Sequence, residues 1–156
     1  MNQKTAMKLF GLLGLLMLLS CGYADRHRNS SSCEQALVDS LEVRVQDSLF
    51  SNVHYSRSQL LEALTQTQDS LVYYRLLALY GKTFFVSSDF DSILYYNRRV
   101  KEFSRNASQS SESLQSPRWN DVLSDVYNIE GNVWMQLNRP DSAIIDYKKA
   151  YGYRLK

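Results

Sequence analysis

Residues that usually carry chemistry are scarce in this chain. Of its 156 residues two are histidine, two cysteine, two proline and six glycine. His27 and His54 belong to no His-Glu-x-x-His spacing, which would set two metal ligands on one helical face. The glycines near the apolar repeats stand singly, so no loop cradles a phosphate, and no Gly-x-Ser-x-Gly elbow presents a nucleophile. These absences argue against an enzyme, and no metal or cofactor is expected. Nothing alternates at period two for long enough to mark a sheet.

The one long apolar run, Leu9 to Leu19, follows Lys4 and Lys8 and ends in Leu18-Leu19-Ser20-Cys21. A basic start and an eleven-residue apolar stretch make a secretion signal, too short to span a bilayer as a mature helix. The Leu-Leu-Ser-Cys ending resembles the bacterial lipobox. That resemblance implies cleavage after residue 20 and a lipid anchor on Cys21, whose acyl chains at about 0.8 kcal/mol per buried methylene hold the protein stably on a membrane. Losing residues 1–20 removes two lysines and no acids, so 18 basic residues become 16 against 16 acidic ones. A neutral mature chain gives no electrostatic reason to expect a nucleic-acid partner. Cys33 is then the remaining thiol, which rules out a disulfide within one chain.

Residues 21–32 are small, charged and serine-rich, the composition of a flexible tether. Beyond them the apolar period is helical throughout. Val38, Leu41, Val45 and Leu49 mark a helix over about 33–50, and Leu60, Leu61 and Leu64 a shorter one over about 57–68, with 51–56 as the break. Asp69-Ser70 opens a third, with Leu71, Tyr74, Gly81 and Phe84 on one face. Ser87-Ser88-Asp89 turns the chain into a fourth, which runs to about Arg105. A serine-rich loop is expected over 104–117. Trp119, Val122, Val126, Ile129 and Val133 mark a fifth helix, and Pro140 opens a sixth reaching about Arg154, proline being tolerated where a helix has no use for its missing N–H. The expected architecture is all-α, with six helices in three hairpins at about 33–68, 69–105 and 118–156.

An ungapped offset of fifty residues lays LYGKTFFVSSDFDSILYYNRRV, from Leu79, over IEGNVWMQLNRPDSAIIDYKKA, from Ile129. Gly81 meets Gly131, Phe84 meets Trp134, and Asp91-Ser92 meets Asp141-Ser142. The segment with Tyr127, Gly131, Trp134, Ala143, Tyr147 and Ala150 resembles the tetratricopeptide repeats, stacked helix pairs of about 34 residues. The likeness is best over Ser124 to Tyr151. Glu130 departs from it where a leucine is usual, Ile93 replaces the alanine in the earlier copy, and Leu155 stands where a proline would close the unit. The sixteen residues by which the offset exceeds the family period match the serine-rich insert. The glycines are expected to let two backbones approach, with Phe84 and Trp134 packing over the gap. The Asp-Ser pairs at 69, 91 and 141 are expected to cap helices, each for about 1 kcal/mol.

The resemblance implies a short α-solenoid whose first helix in each repeat lines a peptide-binding groove. Asn132 matches a place where some family members hold a peptide carboxylate. Lys82 is its equivalent one repeat earlier, and Asn128 lies one turn before it. The expected function is a membrane-anchored, extracytoplasmic, non-catalytic module that binds a protein or peptide of the cell envelope, in the cell membrane or outer membrane. Two alternatives are the sensory front of a longer regulator, as in some Bacteroidetes proteins of similar plan, and a glycan-binding lipoprotein component. The last helix, with Tyr151, Tyr153 and Leu155, has no polar cap after it, which leads us to expect self-association or a longer chain.

Overall fold

Helix boundaries in this chain are set by a few oxygen-bearing side chains. Asp69 Oδ1 accepts from Leu71 N at 2.7 Å and from Val72 N at 3.2 Å, satisfying two backbone donors that the first helical turn leaves free. Asn52 does the same for Tyr55 N at 3.1 Å, and Ser116 for Trp119 N at 3.3 Å with Pro117 directly inside the helix. The computed structural model describes residues 36–45, 47–48, 51–107 and 116–156. The expected signal segment, Cys21, the expected tether, Cys33 and the centre of the expected serine-rich loop lie outside the described residues.

Two compact units are distinguished, Met1–Leu37 and Val38–Lys156. In the first the described residues, Ala36 and Leu37, are helical and exposed. The second is all helix among its described residues, without strands. It comprises α1 (36–45, entering the unit at Val38), α2 (Val53–Gln66), α3 (Ser70–Lys82), a 3-10 turn (Thr83–Ser87), α4 (Phe90–Ala107), α5 (Pro117–Gln136) and α6 (Pro140–Arg154). Each helix packs on its neighbours in sequence, and α3 also touches α5.

Several expected boundaries move. The break before α2 is shorter than 51–56, because Asn52 caps the helix and brings Val53 to Ser56, with His54, into its first turn. The α-helical part of α3 stops at Lys82. Thr83 Oγ1 donates to Tyr80 O at 2.7 Å, and Arg57 of α2 grips the tightened turn through Thr83 Oγ1 and O and Ser87 Oγ, its guanidinium 4.1 Å from the Phe84 ring centre. Ser104 to Ala107 belong to α4 rather than to the loop. Of the three Asp-Ser pairs expected to cap, only Asp69 does so. Asp89 takes that role for α4, accepting from Ser92 N and Oγ, bonds that hold its carboxyl below the ordinary value. At α6 the cap position is Arg139 without a side-chain bond, and Asp141 sits in the first turn, where its charge faces the positive end of the helix dipole.

Three apolar clusters run through the stack. Val38, Leu41 and Val45 meet Leu60, Ala63, Val72, Leu76 and Leu79 across α1, α2 and α3. Leu77, Val100, Trp119, Leu123 and Val126 join α3, α4 and α5, while Ile93 meets Ile129 and Val133. Asn97 is fully buried among them. Its Nδ2 donates to Val126 O at 3.2 Å and its Oδ1 has no hydrogen-bond partner.

The fifty-residue offset recurs in the backbone. Among the described residues Ser88 (φ 54°) and Asn138 (φ 56°) are the non-glycine residues in the left-handed region, and each closes a helix end. Asp89 N reaches Phe84 O as Arg139 N reaches Trp134 O. Both repeat glycines are close-approach sites. A Cβ on Gly81 would lie 2.9 Å from Tyr96 Cβ, and one on Gly131 would collide with the Tyr147 ring, whose Cδ1 would be 2.6 Å away. At Gly81 the side chain that fills the gap is Tyr96, and Phe84, expected there, stacks on the Tyr96 ring. At Gly131 the covering ring is Tyr147 instead, and Trp134 turns away to donate Nε1 to Asp146 at 2.9 Å. Alanine favours a helix over glycine by about 1 kcal/mol. At Gly131 the clash should reverse that sign and lower stability by about 1–3 kcal/mol. At Gly152, where a Cβ meets nothing within 4 Å, alanine should raise it. Thermal melts of the two variants check the contrast.

Candidate functional site

The helices α1, α3 and α5 present one side to a common cleft of about 410 Å³. Helix order alone brings them together, because α2 and α4 pack behind and leave alternate helices on the open side. Ala78, Leu79, Val122, Val126 and Ile129 are its apolar lining, with Val43 at 59% exposure on the α1 wall. A volume of this size suits a few side chains of a bound segment.

Charges frame the apolar strip. Arg75, only 5% exposed, reaches Asp39 at 3.0 Å and Glu42 at 3.4 Å, both on α1. Arg118 of α5 takes the other oxygen of Asp39 at 3.1 Å, so one carboxylate ties α1 to α3 and α5. On the opposite side Arg154 of α6 holds Asp125 at 3.0 Å and lies 4.0 Å from Asp121. Lys82, half-buried at the end of α3, is the cleft cation with no ion pair among the described residues. It is placed to receive an anionic group without breaking an existing bond.

The sequence-derived groove residues separate in space. Lys82 lines the cleft, while Asn128 and Asn132 are not among its lining. Asn128 is exposed, and Asn132 Oδ1 accepts from the Tyr147 hydroxyl at 2.8 Å, bracing α5 against α6. Ala143 and Ala150 are buried where α6 meets α5, as is the Gly131 that Tyr147 covers. Sequence reasoning missed Arg75, Arg118, Asp39 and Glu42. The available signal was Asp39-Ser40, an Asp-Ser pair that lay inside a helix and therefore had some role other than capping.

A second polar group links α4, α5 and α6. Lys101 Nζ meets both oxygens of Glu130, at 2.7 and 2.6 Å, and Glu130 is 3% exposed. Burial pushes the Glu130 carboxyl above its ordinary value, the bond from Lys101 pulling the other way. Lys101 and Lys149 lie 5.2 and 5.0 Å from the centre of the Tyr127 ring, and burial raises that phenol. Lys149 also bonds Asp146 at 3.0 Å, which raises its own affinity for a proton. Each charge here has a partner and none faces the cleft, so the group is a structural tie. Of the adjacent tyrosines, Tyr95 is exposed and Tyr96 half-buried, whereas Tyr73 and Tyr74 are both half-buried.

Among the described residues no three His, Cys, Asp or Glu side chains are grouped to hold a metal, and no helix is long and apolar enough to cross a membrane. The chain matches no protein-family profile, no curated protein and no solved structure.

Proposed function

We propose that this protein is a tetratricopeptide-like, non-catalytic module that binds an extended protein segment in the cleft between α1, α3 and α5. The observation that carries the reading is the cleft itself, an apolar strip bordered by paired charges and by Lys82, which has no ion pair among the described residues. Apolar side chains of the segment fill the strip between Val122 and Leu79, and a carboxylate approaches Lys82. The paired acids on both sides disfavour a strongly anionic partner, so one acidic group at a defined position is what the cleft accepts.

The apolar run after Lys4 and Lys8 and its Leu-Leu-Ser-Cys ending support the second part of the proposal, a module held outside the cytoplasm by a lipid at Cys21, in the cell membrane or outer membrane. Labelled palmitate should be incorporated into the chain in bacteria and lost in Cys21→Ala. Binding is tested with peptides selected on the protein from a random library. A selected peptide carrying a carboxylate should bind Lys82→Glu about tenfold more weakly, a change of about 1.4 kcal/mol, while Lys148→Glu on α6 leaves it unchanged. Failure to select any peptide, together with retardation in a polysaccharide gel, would replace this reading by glycan capture.

A further inference from the structure

The outward side of α6 is apolar and uncovered, and the internal repeat shows what kind of surface fits it. In α4, Leu94 packs against the Ile129 and Val133 cluster of α5, and Lys101 pairs with Glu130 on the same helix. Fifty residues on, Ile144 and Tyr151 occupy the same register positions of α6 and are 50% and 66% exposed, with Ile145 at 56% beside them. Positions covered by a helix in one copy of the repeat are therefore bare in the next.

The charges around these residues specify the covering helix. Asp141 and Lys148 each lie on the exposed side of α6 and have no ion pair among the described residues. They stand three residues before Ile144 and three after Ile145, so the run Asp-x-x-Ile-Ile-x-x-Lys has opposite charges one helical turn on either side of an apolar centre. Such a pattern is complementary to itself when reversed. An antiparallel copy centred on the two isoleucines brings each Asp141 against the other Lys148, and a twofold axis makes both pairs at once. Neither charge alone would select this partner, because a lone cation equally suits any acidic surface.

We propose that α6 pairs antiparallel with α6 of a second copy about a twofold axis at Ile144 and Ile145. Asp141 of one copy then faces Lys148 of the other, and Tyr151 extends over the turn after α5, where Leu137 is 42% exposed. None of these residues lines the α1, α3 and α5 cleft, so dimerisation stands or falls independently of peptide binding.

The test is analytical ultracentrifugation of the full chain over a concentration series in density-matched detergent. The unaltered chain should show a concentration-dependent dimer, and Ile145→Asp should weaken it by about thirtyfold, the effect of a central interface residue. Asp141→Lys and Lys148→Asp should each disrupt both symmetry-related pairs and weaken it up to about thirtyfold, twice the free-energy range of one exposed pair. The swapped variant with both changes should regain the original affinity. Circular dichroism melts guard against misfolding, since all three positions are exposed. A monomer at every concentration overturns the proposal. So does a dimer indifferent to Ile145→Asp, a swap no tighter than the single reversals, or co-sedimentation with phosphatidylglycerol vesicles that Ile145→Asp abolishes while mass stays monomeric.

Discussion

Replacing Lys101 by alanine is expected to lower the unfolding free energy by about 3–5 kcal/mol at neutral pH, the cost of stranding one member of a buried ion pair. Glu130 has a side chain 4% exposed, and both of its oxygens are satisfied by the Lys101 ammonium. Without that cation the carboxylate is left in a low-dielectric seam between α4 and α5. Replacing both residues by leucine should recover most of the loss, because a buried pair contributes little over a well-packed apolar isostere. Denaturant titrations of the single and double variants measure this. A Lys101→Ala cost below about 1 kcal/mol would mean the seam admits water.

The same pair gives a pH signature. Burial raises the folded-state value of Glu130 above its ordinary 4.5, so the folded chain holds that proton more tightly than the unfolded one. Stability from this group is therefore greatest at low pH, falls as pH rises from 4.5 through the raised folded value, and is flat above it. Removing Lys101 raises the folded value further. The cost of Lys101→Ala should accordingly shrink as pH falls and Glu130 takes up a proton, and a cost equal at pH 5 and pH 8 would contradict the assignment.

Trp119→Ala is expected to cost about 3–5 kcal/mol, the range for emptying a large buried aromatic site. Trp119 is 1% exposed, its ring meets Phe103 edge-on at 5.7 Å, and its Nε1 donates to Ser104 Oγ at 3.1 Å. Phe103 in turn stacks on Tyr74 at 4.0 Å, so one row of rings joins α3, α4 and α5. Two walls of the cleft depend on this row. Trp119→Ala should therefore weaken peptide binding as well as stability, while Trp119→Phe retains most of the packing and loses chiefly the bond to Ser104. Thermal unfolding and a peptide titration on the same samples separate the two effects.

The helices and their order were legible in the sequence, because apolar residues at spacings of three and four admit one periodicity. The offset of fifty residues was legible too, and it reappears in the left-handed Ser88 and Asn138. Cap positions were less so. Asp-Ser at 91 and 141 resembles the pair at 69, but only the cap whose side chain meets free N–H groups can be told apart, and that depends on where the preceding turn ends.

The cleft belongs to the other category. Which polar residues face it depends on the rotation of α1, α3 and α5 about their axes, and that rotation is fixed by which apolar stripe each neighbour buries. Lys82 was found through the repeat, yet Asn132 one repeat on is engaged by Tyr147 because a tyrosine there replaces the Asn97 of the earlier copy. Glu130 read as a departure from a leucine position, and only the approach of α4 supplies Lys101 to explain it. Sequence by itself determined that this chain is helical, internally repeated and poor in catalytic groups, since each follows from local spacing or composition. The tertiary structure alone decided which charges meet across helices and which side of α6 is left bare, because pairing distances arise from packing between segments tens of residues apart.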